Sequence, residues 1–185
     1  MLRPYRTWSW ITISLFSIGL GFGVHAIGHA GEHPRQPLPS NASAKAEHPI
    51  APDFSLPDLK GRPIRLSSFR GKVVILDYWA TWCAPCKVET PHLIELQKKY
   101  GADGLQIIGI SMDDGPEPVR TFAKQQAINY PIAMGSAKVA EAYGGVLGLP
   151  VAFLIDRQGR IQKKLAGSAA MPSLEGDVQR LLRQR

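Results

Sequence analysis

Hydrophobic positions are distributed along this chain in three ways, and each predicts a different kind of segment. Between Thr7 and Gly31 no Lys, Arg, Asp or Glu interrupts the run WSWITISLFSIGLGFGVHAIGHAG. A bilayer core of ~30 Å takes about 20 apolar residues in a helix, so this stretch is long enough to span one. From Glu32 to Pro49 the run gives way to EHPRQPLPSNASAKAEHP. That proline-rich, polar composition cannot bury enough apolar surface to order itself. From Ala51 onward the pattern is that of a folded domain.

Within that domain the periodicities predict a defined order of elements. APDFSLPDLKGRPIRLSSFRGK reads as a hairpin turning at Lys60-Gly61. VVILDYWA, residues 73–80, is a continuous apolar run of the kind that forms a strand covered on both faces. A helix is predicted from Pro85 to Tyr100, with Leu93, Leu96 and Tyr100 on one side and Glu95, Lys98 and Lys99 on the other. LQIIGIS (105–111) is a second buried strand, Pro116–Gln126 a helix with proline near its start, and Tyr130–Met134 a short strand. Ala137–Tyr143 is a short helix stopped by Gly144-Gly145. LPVAFLID (149–156) and RIQKKLAG (160–167) form a closing hairpin, and Pro172–Arg185 a last helix. Alternation of strand and helix implies parallel pairing, and the last hairpin an antiparallel edge. The expected fold class is α/β, a mixed central sheet with flanking helices and an N-terminal β-hairpin.

Length and charge narrow the picture. With 185 residues, 44% hydrophobic and 20% charged, the chain has room for one ordinary globular domain. The net charge is +7, but the basic residues are scattered, as in Lys60, Arg62, Arg65, Lys124 and Lys138. No dense basic run with interleaved aromatics occurs, which argues against a nucleic-acid surface. Arg3 and Arg6 precede the apolar run and favour a cytoplasmic N-terminus. The expected organisation is therefore a transmembrane anchor at 1–31, a disordered tether at 32–50 and a single domain at 51–185, outside the cytoplasm. Small residues around Val24–Ala26 and Gly28–Ala30 leave a cleaved signal peptide, and hence secretion, as the alternative.

The chemistry concentrates in DYWATWCAPCKVETP, residues 77–91, which contains both cysteines of the chain, Cys83 and Cys86. A four-ligand zinc site usually needs a second ligand pair, and none is present in the domain, where His92 stands alone. Haem attachment needs Cys-x-x-Cys-His, and residue 87 is Lys. A structural disulfide over two intervening residues closes too small a loop to yield much stability. A redox dithiol remains. Cys83 falls between a buried strand and a helix start, where unsatisfied amides and the helix dipole favour a thiolate. Cys83 is thus expected to be the exposed nucleophile and Cys86, one turn further, the more buried resolving thiol. Pro85 stiffens the loop between them.

These residues, with APDFSL, GKVVILDYWATWCAPC followed by Glu89 and Pro91, and GLPVAFLIDRQGRI, resemble the thioredoxin superfamily. Over roughly residues 50–170 the chain is most similar to membrane-tethered ResA/TlpA-type thiol-disulfide oxidoreductases. The resemblance implies a thioredoxin-like three-layer fold, with Asp113–Gly135 as an inserted helix-strand unit. It implies that Pro150 follows a cis bond and faces the dithiol, leaving the Leu149 backbone to pair with an incoming peptide. Val151 stands where the superfamily usually has Thr. Trp82, Ala84 and Pro85 would complete a substrate-docking surface, with Trp79 in the core. Glu89 matches a glutamate lining a cavity beside the dithiol. Asp77 departs from the Asn common in ResA/TlpA-type proteins and matches thioredoxin itself. A buried carboxylate there tends towards a raised pKa and is expected to exchange a proton with Cys86.

The resemblance implies reduction of disulfides in partner proteins such as apocytochrome c, with electrons from a membrane thiol carrier, and, as the alternative, a general periplasmic thioredoxin-like disulfide reductase or isomerase. No cofactor is expected beyond the Cys83–Cys86 disulfide, and no metal. A peroxidase would carry Pro-x-x-x-Thr-x-x-Cys, but Leu76 and Ala80 occupy the Pro and Thr places. A copper-binding module of the same fold would use Cys-x-x-x-Cys and a distal His, and neither is present.

Overall fold

The structure, a computed structural model, describes residues 48–167 and 171–184. The expected anchor, and the tether as far as residue 47, lie outside the described residues. No described helix is long and apolar enough to cross a membrane. The expected tether boundary is corrected at its last residues. Pro49 O accepts the Ile161 amide at 2.8 Å, Ala51 N donates to Gly159 O at 2.8 Å, and Ile50 bridges Arg160. Strand pairing holds this segment, whose composition alone reads as disordered.

The elements follow the expected order. A two-stranded hairpin, β1 (Ser55–Pro57) and β2 (Pro63–Arg65), pairs antiparallel. Its turn is tied by Asp58 Oδ1, which accepts the amides of Lys60 and Arg62 at 2.7 and 2.8 Å. Gly61 supplies the positive φ of 81° that the turn requires. A 3-10 turn, Leu66–Phe69, follows without a matching sequence expectation. Then come β3 (Val73–Trp79), α1 (Ala84–Tyr100), β4 (Leu105–Ser111), α2 (Pro116–Gln125), β5 (Ile132–Met134), α3 (Ala137–Ala142), β6 (Val151–Ile155), β7 (Ile161–Ala166) and α4 (Met171–Arg183).

The main sheet has the order β5-β4-β3-β6-β7, with β3, β4 and β5 parallel and β6 and β7 antiparallel to their neighbours. All seven residues of β3 are buried because it is the central strand and both its faces are covered. Val74, Leu76 and Tyr78 pack with the hairpin, the 3-10 turn and Tyr143 beside α3. Val73 and Ile75 pack with Leu93 and Leu96 of α1 and Leu174, Val178 and Leu181 of α4. Two helical layers therefore enclose one sheet, the mixed α/β architecture expected. Trp79 joins a third cluster with Val119 of α2 and both cysteines, its ring 5.3 Å from that of Phe122.

This topology positions the site. The C-terminal ends of β3 and β4 lie at one edge because the strands are parallel. β6 runs antiparallel to β3, so its N-terminal end lies there too. Three segments from distant parts of the sequence converge at that edge: the turn after β3, the loop after β4 and the approach to β6.

Candidate active site

Cys83 and Cys86 are joined in a disulfide with S–S 2.01 Å and Cα–Cα 5.3 Å. Cys83 is the N-cap of α1, with extended φ and ψ of −83° and 103°, and its Sγ accepts the Cys86 amide at 3.3 Å. Sulfur thus takes the place that a Ser or Asp oxygen usually fills at a helix start. Pro85 lies in the first helical turn, where its missing N–H costs nothing. Thr90 Oγ1 donates to Cys86 O at 3.0 Å, and Pro91, one residue on, has no amide to give Lys87 O.

One expectation is corrected. Cys83 is not exposed: it is 5% accessible against 3% for Cys86. It belongs to the buried cluster formed with Trp79, Ala80, Cys86, Val119 and Ile132. Its neighbours face solvent instead. Trp82 is 66% accessible, and Ala84, Pro85 and Lys87 are exposed.

The strand before the dithiol and the helix after it carry two buried carboxyl groups. Helix α1 turns Cys86, Glu89, Thr90, Leu93, Leu96 and Tyr100 inward, spaced three and four apart, so Glu89 shares a stripe with the second cysteine and the core leucines. Asp77, on β3, faces the same side of the sheet as Ile75 and Trp79. It is 4% accessible and its Oδ1 has no hydrogen-bond partner. Its lateral neighbours in the sheet are Gly109 and Ala152, the smallest side chains available. Burial, with the Glu89 charge added, pushes the Asp77 carboxyl up to about 8. Tyr130 borders the same place. Its phenol is raised by burial first and then by the Asp77 charge.

The Leu149–Pro150 bond is cis, as the resemblance implies. Pro150 is buried, its carbonyl accepts the Gly167 amide at 3.0 Å, and Leu149 packs against the cluster holding both cysteines. The structure therefore groups Cys83, Cys86 and Leu149 in one cluster, with Trp82, Ala84, Pro85 and Pro150 next to them in sequence and Asp77 and Glu89 on the strand and helix that flank the dithiol.

A side-chain cluster at that edge was not expected. Asp113, in the loop after β4, accepts from the Thr81 amide at 3.0 Å and from Ser111 Oγ at 2.9 Å through Oδ2, and from the Thr81 hydroxyl at 2.5 Å through Oδ1. Thr81 and Asp113 are 32 residues apart, and no local spacing signals their contact. A groove of 490 Å³ lies elsewhere, by the hairpin turn and β5, and none of the site residues lines it. Among the described residues no group of three His, Cys, Asp or Glu side chains is placed to hold a metal ion.

Known proteins resemble this chain in sequence and in fold. Residues 49–164 match the AhpC/TSA family. The chain is 38% identical over 132 residues to the thiol-disulfide oxidoreductase ResA of a Bacillus cereus strain, covering 71% of this chain and 76% of that protein. It is 39% identical over 127 residues to the ResA protein of Geobacillus thermodenitrificans, covering 68% and 72%. A thiol:disulfide interchange protein of the thioredoxin family from Chlorobium tepidum superposes with a TM-score of 0.69 at 30% identity, over 75% of this chain and 99% of the other. A disulfide seated at the start of α1, a cis proline beside it and this degree of similarity agree. The chain belongs to the AhpC/TSA family and, within it, to the ResA-type thiol-disulfide oxidoreductases.

Proposed function

We propose that this chain is an extracytoplasmic, membrane-tethered reductant of disulfides in partner proteins, apocytochrome c among them. The observation that carries the thiol chemistry is the Cys83–Cys86 disulfide at the N-terminus of α1, which follows the strand that carries the buried Asp77 carboxyl. The tether and location rest on the uncharged run at 7–31 behind Arg3 and Arg6.

In the reduced protein the Cys83 thiolate attacks one sulfur of a partner disulfide. A mixed disulfide forms on Cys83, and the partner's other sulfur leaves and takes a proton. Cys86 then gives its proton to Asp77 and attacks Sγ of Cys83. The second partner thiol leaves, and the Cys83–Cys86 disulfide closes. Two electrons have passed from the dithiol to the partner. When a membrane thiol carrier reduces the disulfide, Cys86 departs as a thiolate and Asp77 returns the proton. Glu89 holds that proton on Asp77 by adding to the cost of its charge. Trp82, Ala84 and Pro85 offer the exposed docking surface, and the Leu149 backbone beside Pro150 pairs with the partner's extended segment.

The decisive experiment replaces Cys86 with Ser in cells, so that the mixed disulfide on Cys83 persists. Trapped apocytochrome c supports the specific reading. An assortment of unrelated proteins reduces the proposal to general disulfide reduction, and no thiol-linked partner overturns it.

A further inference from the structure

The Asp113 cluster lies outside the mechanism above, yet it grips the segment that delivers Cys83. The backbone leaves β3 at Trp79, turns through Ala80, Thr81 and Trp82, and reaches Cys83, whose amide donates to Ala80 O at 3.2 Å. Asp113 holds the middle of that turn twice, through the Thr81 amide and the Thr81 hydroxyl. The Asp113 carboxylate is itself fixed by Ser111 Oγ, on a residue only 1% accessible, and the Asp113 amide donates back to that oxygen at 3.2 Å. The Met112 amide donates to Trp79 O at 2.8 Å, so the two strand ends are joined by backbone and side chain together.

The charge on Asp113 is not neutralised by a cation: none of the ion pairs among the described residues includes it. Its partners are an amide and two hydroxyls. The other charged groups on β3, in the first two turns of α1, on α2 and beside Asp113 are Asp77, Lys87 and Glu89, the Glu117–Arg120 pair with Lys124, and Asp114, of which Lys124 and Asp114 are exposed. Lys87 is exposed and the α2 pair is internally compensated. Asp113 therefore sets an anion against Thr81, two residues before the cysteine whose sulfur must itself become an anion, opposing the pull of the α1 N-terminus.

We propose that Asp113 is a positioning residue for the dithiol, which locks the Ala80–Cys83 turn and disfavours the Cys83 thiolate, so holding the couple on the reducing side. This rests on the reading of Cys83 as the attacking sulfur. A carboxylate destabilises a thiolate, and a destabilised thiolate makes the reduced form the less favoured one.

The test compares the full chain with Asp113→Asn, which keeps an acceptor oxygen and loses the charge, and with Thr81→Ser, which keeps the hydroxyl. Two quantities are read: the pH dependence of Cys83 alkylation in the reduced protein, and the dithiol–disulfide equilibrium against glutathione. Asp113→Asn is expected to move Cys83 titration to lower pH and to shift the equilibrium towards the dithiol by roughly tenfold, the order of one nearby charge in a partly shielded site. Thr81→Ser is expected to match the wild type in both. A variant that is merely less stable, with titration and equilibrium unmoved, overturns the proposal. Cys86→Ser trapping, run beside it, tests the thiol reading separately: loss of trapped partner there sinks that reading and leaves the Asp113 titration result standing.

Discussion

Asp77 and Glu89 approach each other from different elements, the first from the central strand and the second from the helix that carries the dithiol. The Glu89 charge is felt at Asp77 after burial has already raised it. Both are almost inaccessible, at 4% and 5%. A pair of interacting buried acids has consequences for stability and for pH dependence.

Asp77→Asn should make the oxidised protein more stable at high pH. The carboxyl's folded value is about 8 against an ordinary 3.8. Its contribution is therefore fully present below pH 4 and is lost as pH rises through 8. The variant, neutral throughout, should gain on the wild type across that window, by roughly 6 kcal/mol at full ionisation if the structure does not relax. Denaturant unfolding at pH 5.5 and pH 9 measures the difference. An unchanged gap between the two pH values would contradict an ionisable Asp77 buried in the native state.

Glu89→Gln should move the Asp77 titration down, by about a unit or less, because burial remains the larger cause. Carboxyl-carbon NMR of Asp77 reads this directly. The pH midpoint of disulfide reduction should follow it in the same direction.

Gly109→Ala should destabilise the fold by about 1–3 kcal/mol, the usual range for overpacking. A Cβ there would sit 2.9 Å from Trp79 Nε1 and 3.5 Å from Tyr130 Cε2. Trp79 is 2% accessible and has no open side to move into. Thermal unfolding tests this, and the indole fluorescence of Trp79 should change with it.

Cys83→Ser should abolish disulfide reduction, whereas Cys86→Ser should still form mixed disulfides and fail to release them. Mass spectrometry after acid quench separates the two outcomes. Equal trapping by both variants would mean that neither sulfur is set apart as the attacker.

Much of this was legible in the sequence because the signals are local. The apolar run 73–80, the three-and-four spacing of Leu93, Leu96 and Tyr100, and the glycines after Tyr143 each reflect a neighbour within one turn or one pleat. The cysteine spacing excluded a haem tether by a single residue, Lys87. The resemblance supplied the cis bond before Pro150, which no periodicity would reveal. The low accessibility of Cys83 was not legible, because the buried cluster it joins includes Val119 and Ile132, which are far along the chain. Pro49 and Ile50 read as tether because their order comes from β7, more than a hundred residues on.

The sequence by itself determined which chemistry is available here: two cysteines at a strand-to-helix junction, a carboxylate six residues before the first and another three after the second. Side-chain type and spacing suffice for that. Tertiary structure alone decided what surrounds those groups. Parallel pairing of β3 with β4 brought Asp113 to Thr81, and the flanking positions of Gly109 and Ala152 left Asp77 desolvated with its Oδ1 unpartnered. Desolvation and long-range contact are sums over neighbours from every element, and the order of residues does not contain them until the sheet has formed.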